Sequence, residues 1–196
     1  LRGASGQSAS NNTAVGHASM LSTTTGHDSV AIGYFALQGT FTGDNTVAVG
    51  YQSGYSITGG RYNTLVGSDS GYSITGNSHN TYVGNNAGHS ANQSYNTYMG
   101  SSAGRYIGGG GNNVALGYES MKSSGTPSNN TGANNTSIGF RSGFSNTTGF
   151  RNQYFGYQSG YYGTTGRSNI AIGYNSQQGV SGSTTGNYNV SHRQKT

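Results

Sequence analysis

Asn45-Thr46-Val47-Ala48-Val49-Gly50-Tyr51-Gln52-Ser53-Gly54-Tyr55 decides the fold, because versions of it recur along the chain. Asn12-Thr13-Ala14-Val15-Gly16, Asn63-Thr64-Leu65-Val66-Gly67, Asn80-Thr81-Tyr82-Val83-Gly84 and Asn169-Ile170-Ala171-Ile172-Gly173 are further copies. The anchoring glycines are Gly16, Gly33, Gly50, Gly67, Gly84, Gly100, Gly117, Gly139, Gly156 and Gly173, at spacings of 17, 17, 17, 17, 16, 17, 22, 17 and 17. A fixed period of this length marks an architecture of stacked repeats.

With the glycine as position 0, position −1 is apolar in all ten copies: Val15, Ile32, Val49, Val66, Val83, Met99, Leu116, Ile138, Phe155 and Ile172. Position −3 is Thr, Val or Ile in every copy except Gln153. A period of two predicts a strand with one face inward, so the ten residues at −1 are the expected repeat core. Position +1 (Tyr34, Tyr51, Tyr118, Phe140, Tyr157, Tyr174) is expected to continue that face. A small pair follows, as in Ser53-Gly54 and Ser159-Gly160, and then a second short strand, as in Tyr55-Ser56-Ile57-Thr58. Thr/Gly turns such as Thr147-Thr148-Gly149 close each coil. The expected fold is all-β: a parallel β-solenoid, or β-roll, of about ten 17-residue coils with two short strands per coil. Residues 1–10 read as a linker or irregular cap, 11–190 as the solenoid and 191–196 as a tail.

The Asn column at −4 (Asn12, Asn63, Asn80, Asn96, Asn113, Asn135, Asn152, Asn169) suits a left-handed corner and a ladder of side-chain amides. Five residues are added between Gly117 and Gly139, in a stretch that holds the sole proline, Pro127. Insertions in solenoids form loops on one face.

Leu, Ile, Val and Phe make only 27 of 196 residues, a share that usually signals disorder. However, a net charge of +5 is low for a self-repelling disordered chain, and the apolar residues fall at fixed places. Without cysteine, the chain has neither disulfides nor thiolate metal sites. No apolar run reaches the roughly 18 residues of a membrane span. Beginning at Leu1, the sequence reads as a fragment or processed product.

Little in the chain resembles catalytic machinery. The acids are Asp28, Asp44, Asp69 and Glu119. Asp69 and Glu119 share a column three coils apart, about 14 Å, too far for a catalytic carboxylate pair. His27, Asp44 and Arg61 share another column and read as a surface ladder. The histidines show no metal-ligand spacing, so no cofactor and no metal are expected. The nine Lys and Arg are too scattered for a nucleic-acid track. The aromatic column Tyr55, Tyr72, Phe144 and Tyr161 is the candidate receptor contact, through ring faces able to stack on sugars.

Segments such as Ser29-Val30-Ala31-Ile32-Gly33 and Asn45-Thr46-Val47-Ala48-Val49-Gly50 resemble the head repeats of trimeric autotransporter adhesins. Gly50-Tyr51-Gln52-Ser53-Gly54-Tyr55 and Gly156-Tyr157-Gln158-Ser159-Gly160-Tyr161 look like related repeats of phage tail fibres. The resemblance spans roughly residues 11–190 and implies a β-roll assembled as a homotrimer. Ala14, Ala31, Ala48, Ala115 and Ala171, small and in register, are the face expected to meet neighbouring chains. The expected function is a non-enzymatic extracellular fibre module on a cell surface or virion. It would give a rigid trimeric rod for attachment to a receptor or glycan. A subunit of a self-assembling filament is the alternative, and an ice-binding surface on the Thr column a more distant one.

Overall fold

The computed structural model describes residues 8–123, 125–178 and 186–193. Its strands are β1 (Thr13–Val15), β2 (Val30–Ile32), β3 (Val47–Val49), β4 (Thr64–Val66), β5 (Thr81–Val83), β6 (Thr97–Met99), β7 (Val114–Leu116), β8 (Thr136–Ile138), β9 (Gln153–Phe155), β10 (Ile170–Gly173) and β11 (Val190–Arg193). They form one parallel sheet in sequence order. The register sets copy on copy: Ala14 pairs with Ala31, Ala31 with Ala48 and Ala48 with Leu65. The chain is therefore a parallel β-solenoid whose coils follow the 17-residue repeat.

Among the described residues each coil has one strand, not two. The Tyr55-Ser56-Ile57-Thr58 stretch is turn at Tyr55 and Ser56 and bends at Thr58, with no strand. Left-handed φ at Gln52 (51°) and Gly54 (62°) curls the backbone away from the extended region just before it. Its N–H groups still bond the next coil: Ser56 donates to the Tyr72 carbonyl at 3.0 Å, and Ser73 to His89 at 2.9 Å. The sheet also continues past residue 190, since Ser191 pairs with Ala171 and His192 with Ile172. The first part of the expected tail is thus strand. Residues 194–196, and 1–7 of the expected cap, lie outside the described residues.

The interior is the opposite face from the one expected. Position −2, not −1, points inward: Ala31, Ala48, Leu65, Tyr82, Tyr98, Ala115, Ser137, Tyr154 and Ala171 are buried. Of the expected core, Val15, Ile32, Met99, Ile138 and Ile172 are exposed, and Val49, Val66, Val83, Leu116 and Phe155 are only half-buried. A strand alternates strictly, so a one-place error in assigning the face exchanges all ten residues at once. The alanines consequently fill the chain's own interior and cannot meet another chain.

Volume compensation keeps this interior of even width. Small −2 residues face large +4 ones at Ala14 with Met20, Ala31 with Leu37 and Ala115 with Met121, whereas at Ala48 with Gly54 and Ser137 with Gly143 both are small and the space is taken from adjacent coils, by Leu37 and Leu65 and by Tyr154. Where −2 is large, +4 is glycine: Leu65 with Gly71, Tyr82 with Gly88, Tyr98 with Gly104, Tyr154 with Gly160. A Cβ added at Gly88 would stand 2.6 Å from the Tyr82 ring, and one at Gly104 2.5 Å from the Tyr98 ring. Interiors at crystal-like packing density leave no room for both members of a pair to be large.

Polar ladders join the coils. The N–H of Asn135 donates to Asn113 Oδ1 at 2.9 Å, and the N–H of Asn152 to Asn135 Oδ1 at 2.9 Å. Asn113 Nδ2 closes the loop side by donating to the Gly132 carbonyl at 2.8 Å. The left-handed residue is the one before this column, as at Asn11 (φ 56°) and Tyr62 (φ 56°), so the amides serve the ladder rather than the corner. Buried serines at +3 bond sideways, as Ser70 Oγ to the Tyr82 carbonyl at 3.0 Å. The anchoring glycine is required twice over. Gly67 has φ +130°, and a Cβ there would lie 2.5 Å from the Gly84 carbonyl oxygen.

Candidate functional site: the outer sheet face and its ladders

With −2 inward, positions −3 and −1 form the outer face of the sheet, flanked by +1. Val15 is 54% exposed, Ile172 46%, Met99 43% and Tyr51 50%. Across these three columns, over ten coils, there is no Asp, Glu, Lys or Arg. At about 4.8 Å per strand and a width of roughly 15 Å, the face covers roughly 700 Å². Thr or Gln153 fills −3 in six coils, and His17, Ser68, Asn85 and Ser101 fill +1 in four, so the apolar share of about two thirds matches the roughly 300–600 Å² of the largest apolar patch on a typical monomer.

The +1 rings expected inside stand on this face and stack along the solenoid axis. Tyr34 and Tyr51 lie 5.4 Å apart at 4°, and Tyr118, Phe140, Tyr157 and Tyr174 continue at 5.4, 5.0 and 5.0 Å. Ser68, Asn85 and Ser101 interrupt the column. In those same coils the opposite flank carries a ladder of its own, Tyr62–His79–Tyr95, with centroids 5.0 Å apart at each step.

The expected receptor-contact residues do lie in one column, half-buried at its corner. Their ring faces, however, are occupied. Tyr55 stacks on Tyr72 at 4.9 Å and Phe144 on Tyr161 at 4.8 Å, each pair at 3°. Tyr72 continues onto His89 at 5.1 Å. Arg141 and Lys122 approach the Phe144 ring at 5.5 and 5.7 Å. What Tyr55, Tyr72, Phe144 and Tyr161 offer outward is therefore ring edge rather than flat face. Stacking at the repeat distance follows from identical positions in adjacent coils, and it removes the surface a sugar ring would need.

The ionisable groups form local ladders. His27 Nε2 and Arg61 Nε each lie 3.1 Å from Asp44, the arrangement expected from their shared column. Hydrogen bonds from Asn11 and His27 hold the Asp28 carboxyl below the usual carboxylate range. Glu119 is buried between Lys122 and Arg141, each 2.6 Å away. Burial pushes its pKa up, but the two cations together pull it further down, to a net lowering. Burial raises the phenols of Tyr82, Tyr98 and Tyr154 far above their ordinary value. Burial, then Arg105, lowers His89.

Among the described residues, no three His, Cys, Asp or Glu side chains gather as a metal site. None of the described helices is long and apolar enough to cross a membrane. No protein-family model, curated protein or solved structure matches the chain.

The outer face was missed because its apolar residues had been assigned to the interior. The signal that identifies the true interior, the exchange of large and small residues between −2 and +4, is present in the sequence.

Proposed function

We propose that the chain is a non-enzymatic, rod-forming module of an extracellular fibre, adhesin-like or tail-fibre-like, that holds an attachment surface toward a cell-surface receptor or glycan. The observation that carries this reading is the uncharged outer face, with its unbroken apolar column at −1, along β1 to β10. Left in water, it exposes ten apolar residues at −1 and the rings at +1. A face of roughly 700 Å² approaches the roughly 800 Å² per partner of a standard protein interface. Its natural partner is another copy, because only another solenoid repeats at the same pitch and presents an uncharged face of equal length. Three copies is the number that the resemblance to trimeric fibre repeats implies. Bundled in this way, the rod is stiff, and weak contacts on its remaining surfaces are multiplied by valency.

Light scattering on residues 1–196 tests this. The expected mass is about three times the 20.2 kDa of one chain. Val66→Lys places a charge at the centre of the outer face and is expected to give a folded chain of single-chain mass. A wild-type chain that stays monomeric at tens of micromolar overturns the proposal. Long filaments in electron micrographs move the assignment to the structural-subunit alternative.

A further inference from the structure

The repeat is broken twice, and both breaks fall at one corner. Thr75 Oγ1 bonds Asn92 Oδ1, 17 residues on, but the Ser78 N–H bonds Ser94 Oγ, only 16 on. The missing residue of the short coil therefore lies between 92 and 94. In the long coil, Tyr106 still bonds in register to the Lys122 carbonyl, whereas Gly108 and Gly109 both donate to the Asn130 carbonyl at 3.0 Å. The added residues thus lie between 122 and 130, on the same corner two coils further on. The coil between the two breaks crosses that corner with four consecutive glycines, 108–111.

Together these irregularities open a hollow of about 430 Å³. Its floor takes Ser73 from the turn after β4, Ser90 from the turn after β5, and Gly108 and Gly109. Pro127 and Ser128, on the 3-10 turn Pro127–Asn129, form the projecting wall. That wall is held in place. Asn130 is fully buried and donates through Nδ2 to the Tyr106 carbonyl at 2.9 Å. Ser123, at the other base of the loop, donates to the Asn146 carbonyl at 2.6 Å. Proline fixes φ at the start of the turn. A hollow with anchored walls carries a smaller ordering cost on binding.

The lining defines the ligand. It offers the hydroxyls of Ser73 and Ser128, the hydroxyl of Ser90 (which also meets His89 Nδ1 at 3.1 Å), the amide of Asn92 (whose Oδ1 accepts from Thr75), the Pro127 ring and glycine backbone, and no charged side chain. Hydroxyl and amide groups both donate and accept, so they match a ligand rich in hydroxyls. An ionic ligand would surrender hydration with no opposite charge in the lining to replace it. Ser73 and Ser90 hold the same position in adjacent coils, about 4.8 Å apart, which presents hydroxyls in a row along the fibre. The volume falls within the roughly 300–1,000 Å³ of small-molecule sites. We propose that this hollow is a binding site for a neutral saccharide, the attachment subsite of the rod. The inference rests on the fibre reading only for the origin of the sugar.

Saturation-transfer NMR on the full chain tests it, with neutral hexose and N-acetylhexosamine oligosaccharides as probes and a sialylated and a sulfated oligosaccharide as the charged arm. The expected result is transfer from neutral sugars at millimolar affinity. Ser73→Trp, which fills the hollow, is expected to weaken binding at least tenfold, and so is deletion of 124–128. Ser56→Trp, in the same column but outside the lining of this hollow, is expected to leave it unchanged. Circular dichroism checks that each variant is folded, and the two hollow-directed variants fail independently. Absence of transfer from every neutral sugar overturns the proposal. So does binding that survives in both hollow-directed variants, or binding confined to the charged arm. Light scattering on the same samples separates the two readings. A monomer that binds sugar refutes the fibre assembly alone, and a trimer that binds none refutes this site alone.

Discussion

Exchanging the members of one compensated pair tests the interior directly. Tyr82 is fully buried, stacked 5.1 Å from Tyr98, and faces Gly88 in its own coil. Tyr82→Ala removes a large buried ring and is expected to cost about 3–5 kcal/mol. Gly88→Leu drives a side chain into that ring, since even a Cβ would stand 2.6 Å from it. Overpacking of about 1–3 kcal/mol adds to about 1–2 kcal/mol for a side chain in the left-handed region, where Gly88 has φ +57°. Leu37 already occupies this position in its own coil with φ 48° and Ala31 opposite it. The double variant Tyr82→Ala/Gly88→Leu therefore recreates an arrangement the chain uses elsewhere. Most of the lost volume returns, leaving the left-handed cost and the lost stacking on Tyr98 of about 0.5–1.5 kcal/mol. A favourable coupling of at least about 2 kcal/mol is expected between the two sites. The assay is urea unfolding followed by circular dichroism at one fixed protein concentration, because association makes stability concentration-dependent. Additivity of the two single changes to within about 0.5 kcal/mol would refute volume compensation.

Three further outcomes are expected. Asn113→Ala strands the N–H of Asn135 and the carbonyl of Gly132 inside the ladder; at about 1–3 kcal/mol per buried unsatisfied group, a clear drop in urea midpoint should follow, with Thr148→Ala as the exposed control. Glu119 has its folded pKa lowered from 4.5, so its contribution is complete above that value and is lost as pH falls through the lower folded one; Glu119→Gln should flatten the wild-type decline in urea midpoint between neutral pH and pH 3, and an unchanged profile would discount the Lys122 and Arg141 pairing. Charge at the outer face should change mass rather than fold: if Val66→Lys unfolds the chain, while Val66→Ser leaves it folded and trimeric, the face does not act through association.

The 17-residue period, the parallel sheet, the asparagine ladder and the His27–Asp44–Arg61 column were all legible in the sequence. Each depends only on like positions falling above one another. Which face of the strand is inside was not legible from alternation, because both faces are apolar in different ways. Position −1 is uniformly Val, Ile, Leu, Met or Phe, which invites reading it as core. Position −2 runs from Ala to Tyr, which looks too irregular for a core until each residue is set against its partner at +4. The ring faces of Tyr55, Tyr72, Phe144 and Tyr161 were misjudged for a related reason. Composition reveals their chemistry, but only the coil spacing shows that each ring covers the next.

The same observation bears on why the outer face exists. A lone solenoid needs one apolar face, and compensation between −2 and +4 already fills its interior. Nothing inside the coil then requires position −1 to be apolar, although −3 beside it is Thr in five copies and Gln153 in a sixth. All ten copies are apolar at −1, and neither that column nor its neighbours at −3 and +1 carries an acid, a lysine or an arginine. Parallel sheets are commonly covered on both faces, and the unbroken apolar column at −1 favours such a cover here. On the proposed reading, a second cover would supply about 50 Å of matching length at the strand pitch. A copy of the same rod meets that requirement in every coil, which is why we place the contact between copies on this face and not on the alanines buried behind it.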